Sequence, residues 1–289
     1  MLAAATALFA LVASASAQAL PSSAASPEQL ALVDAQYNAS GFPDSGDLGF
    51  GIPLHSQAIL TVSYASFVVQ NGNAYTAEQV ATAPTIYVTP STTTRDEFNS
   101  SSVYTVMLAD ASSLGDPDTE GNYRHYLVNG QTGTSTGSNY TFEPSGGTVI
   151  TSYAGPGPIA GTGPHRYAWL LFTQPGNFQA PSNLSAAGTA PSHWYVSSYV
   201  QETGLELVAA SFFTIENGNP TGSVASTQAV NTATLSYSGA SSSTGSVTGS
   251  SSAASATATA KNASSGAAHV AASLAAGLLG VVGVVAMTF

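Results

Sequence analysis

Short stretches of alternating apolar and polar residues, broken by Gly, Pro, Asn and Ser, run through most of this chain and predict β-strands. Within 58–69, Leu60, Val62 and Tyr64 alternate with Thr61, Ser63 and Ala65, the pattern of a strand buried on one face. Asn71-Gly72-Asn73 then supplies a turn. Thr76 and Glu78 stand near capping-box spacing, which predicts a short helical turn ended by Pro84, with β character resuming over 85–89. Segments 103–108 (VYTVML), 123–128 and 165–172 (HRYAWLLF) predict strands, and the run at 103–108 is apolar on both faces, as a strand covered from both sides requires. Segments 195–200 and 205–215 complete the expected set of strands. Helical periodicity is scarce. The pattern therefore predicts one mainly β domain, an antiparallel sheet or sandwich with a few short helices.

The two ends of the sequence differ from this middle. Residues 1–17 are almost wholly apolar and finish in Ala15-Ser16-Ala17, which predicts a signal peptide cleaved after Ala17, with Ala19 the second choice. Residues 270–289 carry no charge and are long enough to span a bilayer, and no Lys/Arg cluster follows them in the sequence. Small residues from Asn262 to Gly266 precede them. That order predicts a GPI-anchor signal over 263–289, removed on attachment at Asn262 ahead of Ser264 or Gly266; a retained helix is the alternative. Between 238 and 260, 13 of 23 residues are Ser or Thr and none is charged, which predicts a disordered, O-glycosylated stalk over 223–262. The folded domain is expected over 20–222, on the extracellular face of the plasma membrane or in the cell wall, held to the membrane through the lipid anchor only.

Composition narrows the function. The chain has 4 Lys and Arg against 15 Asp and Glu, so the basic clusters that hold nucleic acid or anionic membranes are not expected. It has no cysteine, so stability in an oxidising compartment must come from packing. Sequons at Asn38, Asn99, Asn139, Asn183 and Asn262 are candidate N-glycosylation sites in that compartment.

The richest stretch is 153–174, YAGPGPIAGTGPHRYAWLLFTQ, a loop dense in Gly and Pro feeding an apolar strand. A phosphate-binding P-loop would need a Lys-Ser/Thr pair and a helix after it, and neither is present. Backbone N–H groups in such a loop can still form a concavity for an anion. Alternation puts His165, Tyr167 and Trp169 on one face of the strand and Arg166, expected to pair internally with a carboxylate, on the other.

Tyr153, Gly155, Pro156, Pro158, Gly161, Gly163, His165, Arg166, Tyr167 and Gln174 resemble the signature loop and strand of the phosphatidylethanolamine-binding protein (PEBP) family. That family's second motif is Asp-Pro-Asp-x-Pro, followed some fifteen residues later by a His. Asp116-Pro117-Asp118 matches its letters, but Asp110 directly follows an apolar strand and stands fifteen residues before His125. Asp110 is therefore taken as the second Asp, which leaves Leu108 and Ala109 in place of the first Asp and Pro and Ser112 in place of the later Pro. The resemblance implies a PEBP-like antiparallel β-sandwich whose ligand-binding cavity is lined by Asp110, His125, Tyr153, His165 and Tyr167. It implies non-catalytic binding of a small anionic ligand or phospholipid head group, without cofactor or metal. Two other roles stay open: an extracellular peptidase-inhibitor-like module acting on a secreted peptidase, and a structural surface glycoprotein with a vestigial pocket.

Other chemistries fit less well. The run 116–121 begins like an EF-hand loop, but Leu127 occupies the position that needs a bidentate Glu. No G-x-S-x-G sequence marks a serine hydrolase, and His55, His125, His165 and His193 lack zinc-ligand spacing. A glycosidase pair among Glu143, Glu202, Glu206 and Glu216 stays open, with nothing to single one out.

Overall fold

A computed structural model describes residues 21–235 except 47, 100, 117–119, 222–224 and 226. The expected signal peptide, most of the stalk, Asn262 and the anchor signal lie outside the described residues. The alternating segment near residue 60 forms β1 (Ala58–Tyr64), with Ala58, Leu60, Val62 and Tyr64 buried and the residues between them half-buried. In chain order there follow β2 (Phe67–Val68), β3 (Thr85–Pro90), β4 (Tyr104–Asp110), β5 (Asn122–Gln131), β6 (Thr134–Thr136), β7 (Asn139–Phe142), β8 (Thr148–Thr151), β9 (His165–Thr173), β10 (Ser192–Trp194) and β11 (Glu206–Ile215).

They make two sheets. One has the order β2-β1-β3-β7-β6; the other has β10-β5-β4-β9-β11, with β8 also paired to β5. Every named strand pairing is antiparallel. One core lies between the sheets, where Leu60, Val62, Ile86 and Val88 of the first meet Val106, Leu108, Trp169, Leu171 and Phe213 of the second. A second core covers the opposite face of the larger sheet, built from Met107, Leu127, Leu170, Phe172 and Phe212 with Tyr37, Phe42, Phe50 and Tyr199. The central strand β4 is consequently buried at all seven positions, as its two-faced apolar sequence predicts.

Two helices enclose the second core. α1 (Pro27–Ala39) opens with a capping box: the Gln29 N–H donates to Ser26 Oγ at 3.2 Å, and the Ser26 N–H to Gln29 Oε1 at 2.9 Å. α2 (Val196–Thr203) occupies a stretch expected to be a strand. Its Val196, Tyr199 and Thr203 are buried at helical spacing, and Gly204 ends it in the left-handed region at φ 69°. Burial of that face overrides the β preference of the aromatic and β-branched residues in the segment.

The sequons divide by burial. Asn38, Asn99 and Asn183 are exposed. Asn139 is buried: it is 5% exposed, its Nδ2 donates to the Pro21 carbonyl at 2.9 Å, and its Oδ1 accepts from Thr89 Oγ1 at 2.5 Å, which leaves no room for a glycan on the folded domain. Near the expected domain boundary at 222, contact with the fold continues, since the Gln228 N–H bonds to the Ala39 carbonyl at 3.1 Å. Among the described residues no helix is long and apolar enough to cross a membrane.

Candidate functional site

The site forms where β4, β5 and β9 end together. Asp110, the last residue of β4, lies opposite Tyr123 of β5 and Tyr167 of β9. On β9 simple alternation holds: His165, Tyr167 and Trp169 face the intersheet side, while Arg166 and Ala168 face the other. On β5 alternation breaks. The pairing steps from Leu108↔Tyr126 to Ala109↔Arg124, so His125 is the extra residue of a β-bulge. The bulge brings the His125 ring to the same side as Tyr126. There it meets Tyr167 at a centroid distance of 5.4 Å and Tyr123 at 5.0 Å.

Hydrogen bonds fix each ring. Asp110 Oδ2 lies 2.9 Å from His165 Nδ1, and Asp110 Oδ1 accepts the Ser112 N–H at 2.6 Å. His165 Nε2 is 2.7 Å from Thr162 Oγ1, whose hydroxyl is also 2.7 Å from the Ile159 carbonyl. His125 Nδ1 donates to the Ala154 carbonyl at 2.9 Å, while the Ala154 N–H donates back to the His125 carbonyl at 2.9 Å. Ser112 Oγ donates to Asp116 Oδ2. Tyr167 is fully buried and its hydroxyl makes no hydrogen bond of normal geometry; burial first, and the Asp110 carboxylate second, push its pKa far above the usual phenol value.

The Gly/Pro loop closes one wall and is itself anchored. Asn217 Nδ2 donates to the Pro158 carbonyl at 3.1 Å, the Gly161 N–H to the Asn217 carbonyl at 2.9 Å, and Ser113 Oγ to the Thr162 carbonyl at 2.7 Å. Gly161 and Gly163 hold φ of 85° and 86°, a region that side-chain-bearing residues seldom enter. The cavity measures about 410 Å³, opens to solvent, and is lined by Asp110, His125, His165 and Tyr167, with Tyr123 and His193 also in its lining. A larger groove of about 600 Å³ beside α1 has no histidine or tyrosine in its lining, so chemistry favours the smaller space.

Four of the five expected ligand residues therefore meet in one cavity. Tyr153 does not. Its ring stacks on Trp169 at 5.9 Å in the intersheet core, and its hydroxyl bonds to the Val80 carbonyl at 2.5 Å and Tyr64 Oη at 3.1 Å. Thr162 and Tyr123 belong to the site without having been singled out; their signal was proximity in sequence to His165 and His125. Arg166 points away from the cavity and bonds to three main-chain carbonyls. Among the described residues no group of three or more His, Cys, Asp or Glu could hold a metal ion.

His125 links the site to stability. Burial lowers its pKa, outweighing the opposing pull of Asp110 and of its bond to Ala154, with His165 lowering it further. Below the unfolded value of about 6.5 the unfolded chain takes a proton that the native ring refuses, so stability is present above that pH and lost as pH falls. Urea midpoints between pH 7.5 and 5 are expected to show this loss, at up to about 1.4 kcal/mol per pH unit from this group. His125→Gln should flatten the slope; an unchanged slope would assign it to other groups.

Residues 65–213 match the phosphatidylethanolamine-binding protein family model, and the chain belongs to that family. Over 81 residues it is 36% identical to the carboxypeptidase Y inhibitor of Saccharomyces cerevisiae, a segment covering 26% of this chain and 36% of that protein. It thus spans about a third of that relative's length. A second protein of that yeast, YLR179C, is 27% identical over 172 residues, covering 55% of this chain and 81% of the relative. A crystal structure of carboxypeptidase Y inhibitor complexed with its cognate proteinase shares the fold, with a TM-score of 0.52 and 24% identity over 64% of this chain and 95% of that one.

Proposed function

We propose that this chain is a non-catalytic binding protein of the cell surface whose cavity takes a small anionic ligand or phospholipid head group. The carrying observation is the convergence of His125 and His165 on one cavity beside the Gly/Pro loop. Imidazoles are suited to an oxyanion because protonation turns each ring nitrogen into a charged donor. Asp110 orients His165 and Ala154 orients His125, so neither ring needs ordering on binding. The expected signal peptide and GPI anchor place this cavity outside the cell, where phospholipase release from intact cells is the check. Calorimetric titration of the purified protein with inorganic phosphate at pH 6 tests the site. His165→Ala is expected to weaken binding at least about tenfold, and unchanged affinity would overturn the assignment.

The similarity to carboxypeptidase Y inhibitor favours a second reading, in which the surface around the cavity restrains an extracellular peptidase. Inhibition of carboxypeptidase Y by the purified protein at micromolar concentration supports that reading, and its absence counts against it.

A further inference from the structure

The tautomer of His125 decides which hydrogen-bonding face the cavity shows to a ligand. A carbonyl can only accept, so the Nδ1 atom 2.9 Å from the Ala154 oxygen carries a proton. In the neutral ring, Nε2 then offers a lone pair. Nε2 has no protein partner among the described residues and is not a sealed atom, in a side chain that lines the cavity. Asp110 from β4, His165 and Tyr167 from β9 and Tyr123 from its own strand face this ring. Desolvation outweighs the pull of Asp110 and keeps the ring neutral near pH 7.

The carboxylates around it are already engaged. Asp110 holds His165 and the Ser112 N–H, and Asp116 accepts from Ser112 Oγ. An anion with acceptor oxygens alone would set one of them against the Nε2 lone pair and leave both unpaired. An anion with an acidic O–H can donate to Nε2 and so pairs both groups.

We propose that the cavity recognises an oxyanion that brings its own proton, hydrogen phosphate or a singly protonated phosphate monoester, whose P–OH donates to His125 Nε2. Phosphodiesters and sulfate have no such proton and are refused at neutral pH. The proposal rests on the anion-binding reading above and narrows it, since a phospholipid head group is a diester. A monoester gives up its last proton near pH 6, so its affinity falls above about that pH, while hydrogen phosphate keeps a P–OH through the neutral range. At lower pH His125 takes a proton, Nε2 becomes a donor, and sulfate begins to bind.

Calorimetric titration of the purified protein with inorganic phosphate, sulfate and glycerophosphoethanolamine, at pH 7.5 and pH 5, tests this without any substitution. Phosphate should bind about 10–100-fold more tightly than the other two at pH 7.5, with the gap narrowing at pH 5. Equal affinity for phosphate and sulfate at pH 7.5 would overturn the proposal and leave the anion site standing. No binding of any of the three at either pH would remove the anion site and the proposal with it. Nitrogen-15 NMR of His125 adds an independent readout: an Nδ1–H tautomer is expected at pH 7.5, and an Nε2–H tautomer would overturn the proposal.

Discussion

Arg166→Met is expected to destabilise the domain by about 3–5 kcal/mol, a large share of what a domain of this kind has to lose. Arg166 is 2% exposed, and its guanidinium lies over the Phe42 ring at 5.7 Å. Its Nε donates to the Ser112 carbonyl at 3.1 Å, Nη2 to the Ala111 carbonyl at 2.7 Å, and Nη1 to the Ser40 carbonyl at 2.9 Å. Methionine fills much of the same volume and satisfies none of those oxygens. The Ser112 carbonyl keeps the main-chain N–H of residue 166 at 3.0 Å, but the Ala111 and Ser40 carbonyls would lose their donor, at about 1–3 kcal/mol apiece before relaxation. The turn that carries Ala111 and Ser112 is the one that directs the Ser112 N–H onto Asp110. Loss of the guanidinium therefore loosens the floor of the cavity as well as the fold. Urea denaturation monitored by tryptophan fluorescence gives the measurement, and a loss below about 1 kcal/mol would mean that the Ala111 and Ser40 carbonyls find other donors.

What could be read from the sequence follows which contacts are local. β9 pairs with β4 one for one, so its face assignment, with His165 and Tyr167 together and Arg166 opposite, follows from alternation alone. The orientation of His125 does not, because its bulge exists only in the pairing of β5 with β4, and no residue in β5 announces it. Tyr153 fails for a related reason. Its place in the motif is beside the loop, but the Val80 carbonyl that claims its hydroxyl lies 73 residues away along the chain. The capping box at Ser26, with Pro27 at the start and Gln29 in place, went unread in the sequence. The helix behind it went unread too, since its apolar face amounts to little more than Val33 and Tyr37. α2 needed the second core to exist before its residues could prefer a helix.

Leu108 was read as the departure that deprives the cavity of an acid, and the structure shows what replaced it. Leu108 is fully buried in the intersheet core, paired across the sheet with Trp169 of β9 and Tyr126 of β5. Leu108→Asp is therefore expected to cost on the order of 5 kcal/mol at neutral pH, combining the lost packing with the desolvation of a carboxyl. The pH dependence identifies the cause. Burial holds the new carboxyl's folded pKa above its unfolded value of about 3.9. The folded state then keeps a proton that the unfolded state releases. The penalty is accordingly smallest below the unfolded value and grows with rising pH, by up to about 1.4 kcal/mol per unit, until the folded pKa is passed. Leu108→Asn should lose stability without that slope. Urea midpoints at pH 4.5, 6 and 7.5 for the two variants separate the terms. A small, pH-independent loss in Leu108→Asp would show that the carboxyl reaches the cavity beside His125 and His165, where it could serve an ammonium group. A steep slope would confine it to the core, leaving the cavity with the acids it already has.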